Sequence, residues 1–146
     1  MNGRFLIFGL AIFCLTFGAT LWYFQIYAYY SEVRGITRVE VDGQDRPVTD
    51  YVGVDATSSP LKLRACFKVD WPYQQSDAYL KKATPLTAPP WFECFKAEQI
   101  EKDLKDKKAT AILAGINEPD GVDRYIAQYP DGRAFMWHQL NEKFAQ

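Results

Sequence analysis

The sequence predicts an α+β protein: an N-terminal transmembrane helix, then a small domain with an antiparallel sheet and one or two short helices. Three observations carry this prediction: an uncharged apolar run, a nine-residue stretch that alternates apolar and polar residues, and two Pro-Asp-Gly turns near the C-terminus. We therefore expect residues 1–31 to form a membrane anchor with an aromatic belt. Residues 32–146 are expected to form an extracytoplasmic α+β domain.

The anchor is predicted from residues 5–23, "FLIFGLAIFCLTFGATLWY", which contain no charged residue. A helix rises about 1.5 Å per residue, so this run covers about 30 Å, the thickness of a bilayer's hydrocarbon core. The Trp and Tyr residues of "WYFQIYAYY", residues 22–30, follow where such a helix would leave the hydrocarbon, and these side chains favour the interface. The sequence thus indicates a lipid bilayer as a partner.

A cleaved signal peptide is the alternative to a retained anchor. Arg4 supplies a charged N-terminal region, and residues 18–20 are small enough for cleavage. The apolar run continues into bulky rings, which favours retention. Arg4 and the amino terminus, against Arg34 and Arg38, weakly favour a cytoplasmic N-terminus. We therefore expect a single-pass protein of the cell inner membrane with its C-terminal domain in the periplasm.

The first half of the domain is predicted to contain strands. After a short stalk near residues 31–36, "TRVEV" at 37–41 alternates apolar and polar side chains, and residues 42–47 contain turn formers. "LKLRACFKV" at 61–69 alternates most clearly, and its polar face carries Lys62, Arg64, Cys66 and Lys68. Residues 70–90 are rich in proline and polar residues, which predicts a surface connection with one helical turn at Ser76–Leu80.

The second half is predicted to be a helix followed by a three-stranded meander. Residues 96–108 contain acidic and basic residues four apart, including Asp103 with Lys107, which is typical of a short solvated helix. "EPDG" at 118–121 and "YPDG" at 129–132 each predict a type I turn closed by a bulge. They separate strands at 109–116, 122–129 and 133–140. The first of these is apolar on both faces, which predicts a central position in the sheet.

Cys66 and Cys94, 28 positions apart, are the domain's two cysteines, and their role is open to several interpretations. Zinc normally requires three or four ligands, and the chain adds only one histidine, His138. A thioredoxin-type pair would be separated by two residues. Copper is an alternative because Met136 and His138 share one strand face and could join Cys66 or Cys94 as ligands.

A disulfide is the interpretation that we favour, because cysteines in an oxidising compartment tend to pair. The bridge would draw residues 84–95 over the polar face of the strand at 61–69. If the pair were reduced instead, the cations at Arg64 and Lys68 would favour a Cys66 thiolate, which makes a reactive sulfur the alternative.

Function is only weakly constrained by composition and motifs. A formal charge of −1 gives no basic excess for binding nucleic acid. Familiar catalytic and nucleotide-binding motifs are absent, so we expect no catalytic residues and no cofactor. Trp91 and Phe92, after two prolines, are either tucked beneath a loop or presented to a partner.

These features predict a membrane-anchored, non-enzymatic protein, an accessory subunit or assembly factor of a larger integral membrane protein complex. A thiol- or copper-handling factor using the paired cysteines is the alternative. A third hypothesis, small-ligand sensing in a cleft between sheet and helix, has no residue-level support in the sequence.

Four segments carry a resemblance to a known family: "ATSSPLKLRACF", "ATPLTAPPWFECF", "GVDRYIAQYPDGRAFMWHQLN" and the anchor that ends in "WYFQIYAYY". Together they resemble an uncharacterised family of small single-pass alphaproteobacterial inner-membrane proteins with a periplasmic domain of unknown function. The resemblance covers almost the whole chain. It implies a retained anchor and a paired-cysteine domain, and it implies no catalytic residues.

Overall fold

A computed structural model describes residues 2–72 and 82–144 and divides the chain into two compact units, with the boundary between Tyr30 and Ser31. The helical turn expected at Ser76–Leu80 lies outside the described residues. Each unit is therefore considered by itself.

The first unit is one long apolar helix. Helix α1 spans Gly3–Tyr23 and continues as a π-helical turn at Phe24–Ala28. The 26 residues Gly3–Ala28 have a mean hydropathy of 2.1, and none of their most apolar stretch is buried, so the helix is long and apolar enough to cross a membrane. The Thr16 and Thr20 hydroxyls donate to the carbonyls of Ile12 and Thr16, at 2.9 and 2.8 Å, so both hydroxyls are paired within the helix.

The second unit contains eight strands and one helix among its described residues. The elements in chain order are β1 (Ser31–Arg34), β2 (Arg38–Val41), β3 (Gln44–Pro47), β4 (Thr49–Asp55), a 3-10 turn (Pro60–Lys62), β5 (Arg64–Lys68), α2 (Ala97–Lys105), β6 (Thr110–Gly115), β7 (Val122–Gln128) and β8 (Arg133–Leu140). Six strands form an antiparallel sheet in the order β1-β4-β5-β8-β7-β6, and β2 and β3 form a separate hairpin. The coarse α+β prediction is confirmed, including the C-terminal meander.

Both faces of the sheet are covered, each by a different part of the chain. On the hairpin face, Val39 and Val41 of β2 join a core that includes Ile126 and Met136. The opposite face is covered by the irregular residues 82–96, which we call the strap, and by α2. On this strap face the Phe95 ring meets Trp137 edge-on, with centroids 6.3 Å apart.

Three details of the predicted topology are wrong. Residues 31–34 are not part of a stalk: they form β1, which pairs with β4. Strand β6 lies at the sheet edge rather than the centre. It is apolar on both sides because the hairpin face buries Ile112 and the strap face buries Ala111.

The third detail concerns the turn at residues 118–121. The Glu118–Pro119 peptide is cis, and the turn hydrogen bond runs from the Val122 amide to the Pro119 carbonyl, one residue later than predicted. The turn at 129–132 agrees with the prediction: the Gly132 amide donates to the Tyr129 carbonyl, and Gly132 has a φ of +92°.

Candidate functional site

The disulfide position links the strap to the sheet. Cys66 in β5 and Cys94 in the strap have their Sγ atoms 2.14 Å apart and their Cα atoms 6.4 Å apart, which is disulfide distance. Cys66 is half-buried and Cys94 is exposed. The strap lies over the polar face of β5, as the sequence led us to expect for a paired state.

Arg64 is buried beneath the strap with 4% of its surface exposed. Its guanidinium donates to the carbonyls of Leu61 and Leu63 at 2.6 Å each, and to two strap carbonyls, those of Leu86 at 2.7 Å and Thr87 at 3.3 Å. An irregular segment has no ladder to pair its backbone, and buried carbonyls need donors. Arg64 supplies these donors, so it is a structural cation rather than a free one.

Gln139 performs a similar task at the start of the strap. Its Oε1 accepts from the Thr84 amide at 2.7 Å and from the Trp137 indole at 3.0 Å, and its Nε2 donates to the Lys82 carbonyl at 2.7 Å. The side chain is 8% exposed. The alternation of β8 placed Gln139 on this face, but nothing in the sequence indicated that a backbone segment would meet it there.

A cleft of about 760 Å³ opens between the start of the strap and the ends of β6, β7 and β8. Its apolar wall is formed by Leu61, Leu86, Leu113, Tyr125 and Leu140. None of its described lining residues belongs to α2, so this is not the cleft between sheet and helix that we had considered from the sequence.

Asp123 is the most buried charged group that lines the cleft, with 9% of its surface exposed. Its Oδ1 accepts hydrogen bonds from the Asn117 amide at 3.0 Å and from Asn141 Nδ2 at 3.1 Å. Within residues 2–72 and 82–144, no group donates to Oδ2. One oxygen of the carboxylate is therefore held by the protein, and the other is open to water or to a ligand in the cleft.

A second buried polar pair lies where α2 meets the sheet. The Tyr129 hydroxyl donates to Asp103 at 2.8 Å, and Gln99 Nε2 donates to the same carboxylate at 2.9 Å. The Tyr129 bond, and then the Gln99 bond, lower the pKa of Asp103. Burial and the neighbouring carboxylate raise the pKa of Tyr129 well above its usual value.

The predicted ion pair of Asp103 with Lys107 is wrong. Lys107 follows the end of α2 with a φ of +58°, and it is Lys108 whose Nζ comes within 3.9 Å of Asp103. The sequence pattern assumed that the helix continues, whereas α2 ends at Lys105.

The predicted copper ligands Cys66, Cys94, Met136 and His138 are not brought together. The cross-strand partner of Cys66 is Phe135, so Cys66 faces the strap, while Met136 pairs with Ala65 and belongs to the hairpin-face core. Met136 and His138 thus lie on the side of the sheet away from Cys66. Across the described ranges, no three His, Cys, Asp or Glu side chains are grouped closely enough to hold a metal ion.

His138 has a different contact instead. Its Nδ1 donates to the Pro60 carbonyl at 2.7 Å, which ties β8 to the 3-10 turn. Burial lowers the pKa of His138, so the neutral ring is favoured in the folded protein. The residue therefore acts as a packing and turn-holding group here.

The two aromatic residues that were candidates for partner binding differ in exposure. Phe92 is 6% exposed and belongs to the core beneath the strap, so its side chain offers no free surface. Trp91 is half-buried, with its ring 6.2 Å from that of Phe92. Partner binding by Trp91 stays a prediction.

Comparison with known families identifies one to which most of the chain is similar. A family model described as a family of unknown function, DUF6446, matches residues 35–146, which confirms the resemblance to an uncharacterised family. No curated protein and no solved structure matches the chain.

Proposed function

Because the chain belongs to DUF6446, a family of unknown function, we propose its role from its architecture. The protein is a single-pass component of the cell inner membrane, and its domain lies in the periplasm. There it acts as a non-enzymatic accessory subunit or assembly factor of a larger integral membrane protein complex.

The observation that carries this proposal is the helix at Gly3–Ala28. It has a mean hydropathy of 2.1, and none of its most apolar stretch is buried. Apolar surface exposed to water costs about 25 cal/mol per Å², so such a helix requires lipid or another protein around it. The bilayer would cover most of this apolar surface, and neighbouring transmembrane helices of a partner complex would cover the rest.

The periplasmic location rests on the cysteines. Cys66 and Cys94 lie at disulfide distance, and Cys94 is exposed, where a reducing cytoplasm would act on it. An oxidising compartment keeps such a bridge intact. The weak charge bias of the anchor, with Arg4 on the N-terminal side, supports the same orientation.

The non-enzymatic role rests on what the buried polar groups do. Arg64 and Gln139 direct their donors to backbone carbonyls of the strap, and His138 donates to the Pro60 carbonyl. These contacts hold irregular backbone in place. A small domain on a membrane anchor, with its polar side chains engaged by its own backbone, is suited to recognition of a partner rather than to chemistry.

A thiol-handling role is the alternative, and the exposure of Cys94 favours it. An exposed sulfur of a disulfide is open to attack by another thiolate. A copper-handling role has less support, because Met136 and His138 lie on the other side of the sheet from Cys66.

The proposal is tested at native expression level. Membranes are crosslinked, extracted in mild detergent and purified through a C-terminal tag, and the captured proteins are quantified by mass spectrometry. We expect an integral membrane protein in a fixed ratio to the chain. The matched control carries the same domain behind a cleavable signal peptide in place of residues 1–30, and it should lose that partner or retain only a weak fraction.

Topology is read in the same cells from protease access to the tag in intact spheroplasts. Recovery of the full-length chain as a free monomer after crosslinking would overturn the accessory role. Protection of the tag in spheroplasts, with both domain thiols alkylated in vivo, would overturn the periplasmic location.

A further inference from the structure

The cleft beside the strap has the dimensions of a small-molecule site. Its volume of about 760 Å³ falls within the range of roughly 300–1,000 Å³ that is usual for ligand pockets. Leu61, Leu86, Leu113 and Tyr125 give it an apolar wall. Such a wall favours a ligand with an apolar body, because water is released from both surfaces on binding.

Asp123 is the most buried charged residue of the lining, which also contains Lys82, Glu142 and Lys143. The residue is 9% exposed, and within the part of the chain that the structure describes its hydrogen bonds reach Oδ1 alone, from the Asn117 amide and Asn141 Nδ2. A carboxylate in a largely apolar site is stabilised by a donor, and most strongly by a cation, on its second oxygen. The unpaired Oδ2 therefore selects for a ligand that donates hydrogen bonds and carries positive charge.

The cations at the rim are already engaged with other acidic groups. Lys82 pairs with Glu142, and Lys143 pairs with Asp120 at 2.6 Å. Among the described residues, the donors to Asp123 are the backbone amide of Asn117 and the side-chain amide of Asn141, both neutral groups. The negative charge of Asp123 is thus left for a ligand to neutralise.

We propose that this cleft is a binding site for a small organic cation with an apolar body. The ammonium group donates to Oδ2 of Asp123, and the apolar body packs against Leu86, Leu113 and Tyr125. This site is independent of the proposed role in a membrane complex.

The probe is phenethylammonium, with phenethyl alcohol as the neutral analogue and 3-phenylpropanoate as the anionic one. The full chain is placed in lipid nanodiscs, and binding is followed by saturation-transfer NMR of each probe. Empty nanodiscs correct for partition into lipid. We expect the cation to bind at least about tenfold more tightly than the alcohol, because a hydrogen bond to a charged group favours the complex by that factor or more. The anion should show no binding.

Two variants locate the site. Asp123→Asn keeps an acceptor for the Asn117 amide and removes the charge, and it should weaken phenethylammonium about tenfold while leaving the alcohol unchanged. Leu86→Trp fills the cleft from the strap and leaves the backbone carbonyl that Arg64 contacts, so it should abolish binding of both probes. Thermal unfolding of each variant confirms that it is folded.

Equal affinities for cation and alcohol in the wild-type chain would overturn the proposal, as would absence of binding by every probe. Unchanged cation binding in folded Leu86→Trp would place any site elsewhere and would also overturn it. Because the comparison of the three probes is made on the wild-type chain, the proposal can be refuted even if Asp123→Asn does not fold.

Discussion

The two faces of the sheet are covered in different ways. On the hairpin face, the cover is the β2–β3 hairpin, whose strands pair with each other from Arg38–Pro47 to Val41–Gln44. On the strap face, much of the cover is irregular chain between residues 82 and 96. The first cover meets the sheet mainly through aliphatic side chains, and the second through aromatic rings, buried polar groups and a disulfide position.

The difference follows from backbone hydrogen bonding. A hairpin pairs most of its own amides and carbonyls, so it needs few donors or acceptors from elsewhere. Here the Asp42 amide donates to the Ala114 carbonyl at 2.9 Å, and the Trp71 indole donates to the Pro47 carbonyl at 2.8 Å. An irregular strap cannot pair its own backbone in this way, and its carbonyls at Leu86, Thr87 and Lys82 accept from Arg64 and Gln139 instead. Irregular cover therefore depends on a few specific side chains, whereas regular cover depends on many interchangeable ones.

Among the changes that test this difference, removal of the disulfide should reduce the stability of the domain most. Closing a loop of 28 residues stabilises a fold by about 3.5 kcal/mol in the chain-entropy model. We expect the double variant Cys66→Ser, Cys94→Ser to have a free energy of unfolding that is lower by about this amount. Chemical denaturation measures the difference. Hydrogen exchange should show the strap amides losing protection first, with β2 and β3 still protected.

The matched control for this prediction is Cys14→Ser, which changes the exposed cysteine of α1 and should leave the domain within about 0.5 kcal/mol. A double variant with unchanged stability would show that the sulfurs do not form a structural bridge. It would then favour the thiol-handling alternative.

Replacement of Arg64 should have the next largest effect. Arg64→Met keeps the apolar stem but leaves carbonyls of Leu61, Leu63 and the strap without their donor, and we expect a loss of about 3 kcal/mol. Lys68→Met is the matched control on the same side of β5, because Lys68 is exposed and its ammonium group pairs with the exposed carboxylate of Asp50 at 2.9 Å. Its effect should stay within about 0.5 kcal/mol. Similar losses in both variants would contradict a specific role of Arg64 in holding the strap.

Strand β2 and the meander could be predicted from the sequence because their information is local, whereas β3 (Gln44–Pro47) lies in a stretch for which only turn residues were expected. Alternation placed Val39 and Val41 inward, and turn residues located the boundaries of β7 and β8 within a residue. Such patterns depend on neighbours a few positions apart in the chain.

On the strap face, the cysteine pair predicted that residues 84–95 cover β5, but the hydrogen bonds that hold them could not be predicted because they are long-range. The sequence placed Arg64 on the polar face of its strand but did not indicate its strap partners, which lie 22 and 23 residues away in sequence. Gln139 contacts residues 55 and 57 positions away, and the cleft at Asp123 exists only once the strap is in place. The predicted central position of β6 was wrong for a related reason. Apolar residues on both faces of a strand show that both faces are buried, but they do not show which segments cover them.

The Tyr129–Asp103 pair allows a smaller test that compares the two faces through pH. Tyr129→Phe removes a buried hydrogen bond to a carboxylate, and we expect Tm at pH 7 to fall by about 4 °C. The bond lowers the pKa of Asp103 in the folded protein. This contribution to stability is therefore present above the unfolded carboxyl pKa of about 3.9, and it is lost as pH falls through the lower folded value.

The wild-type protein should consequently lose its advantage over Tyr129→Phe as the pH is lowered from 5 toward about 2, and thermal unfolding at a series of pH values measures this. Tyr51→Phe is the control from the hairpin face. Burial raises the pKa of Tyr51, so its hydroxyl stays protonated throughout this acidic range, and no acid-dependent difference is expected. A difference in Tm between wild type and Tyr129→Phe that stays constant down to pH 2 would show that the hydrogen bond from Tyr129 does not lower the pKa of Asp103. The buried polar contacts of the strap face would then be less tightly coupled than their distances imply.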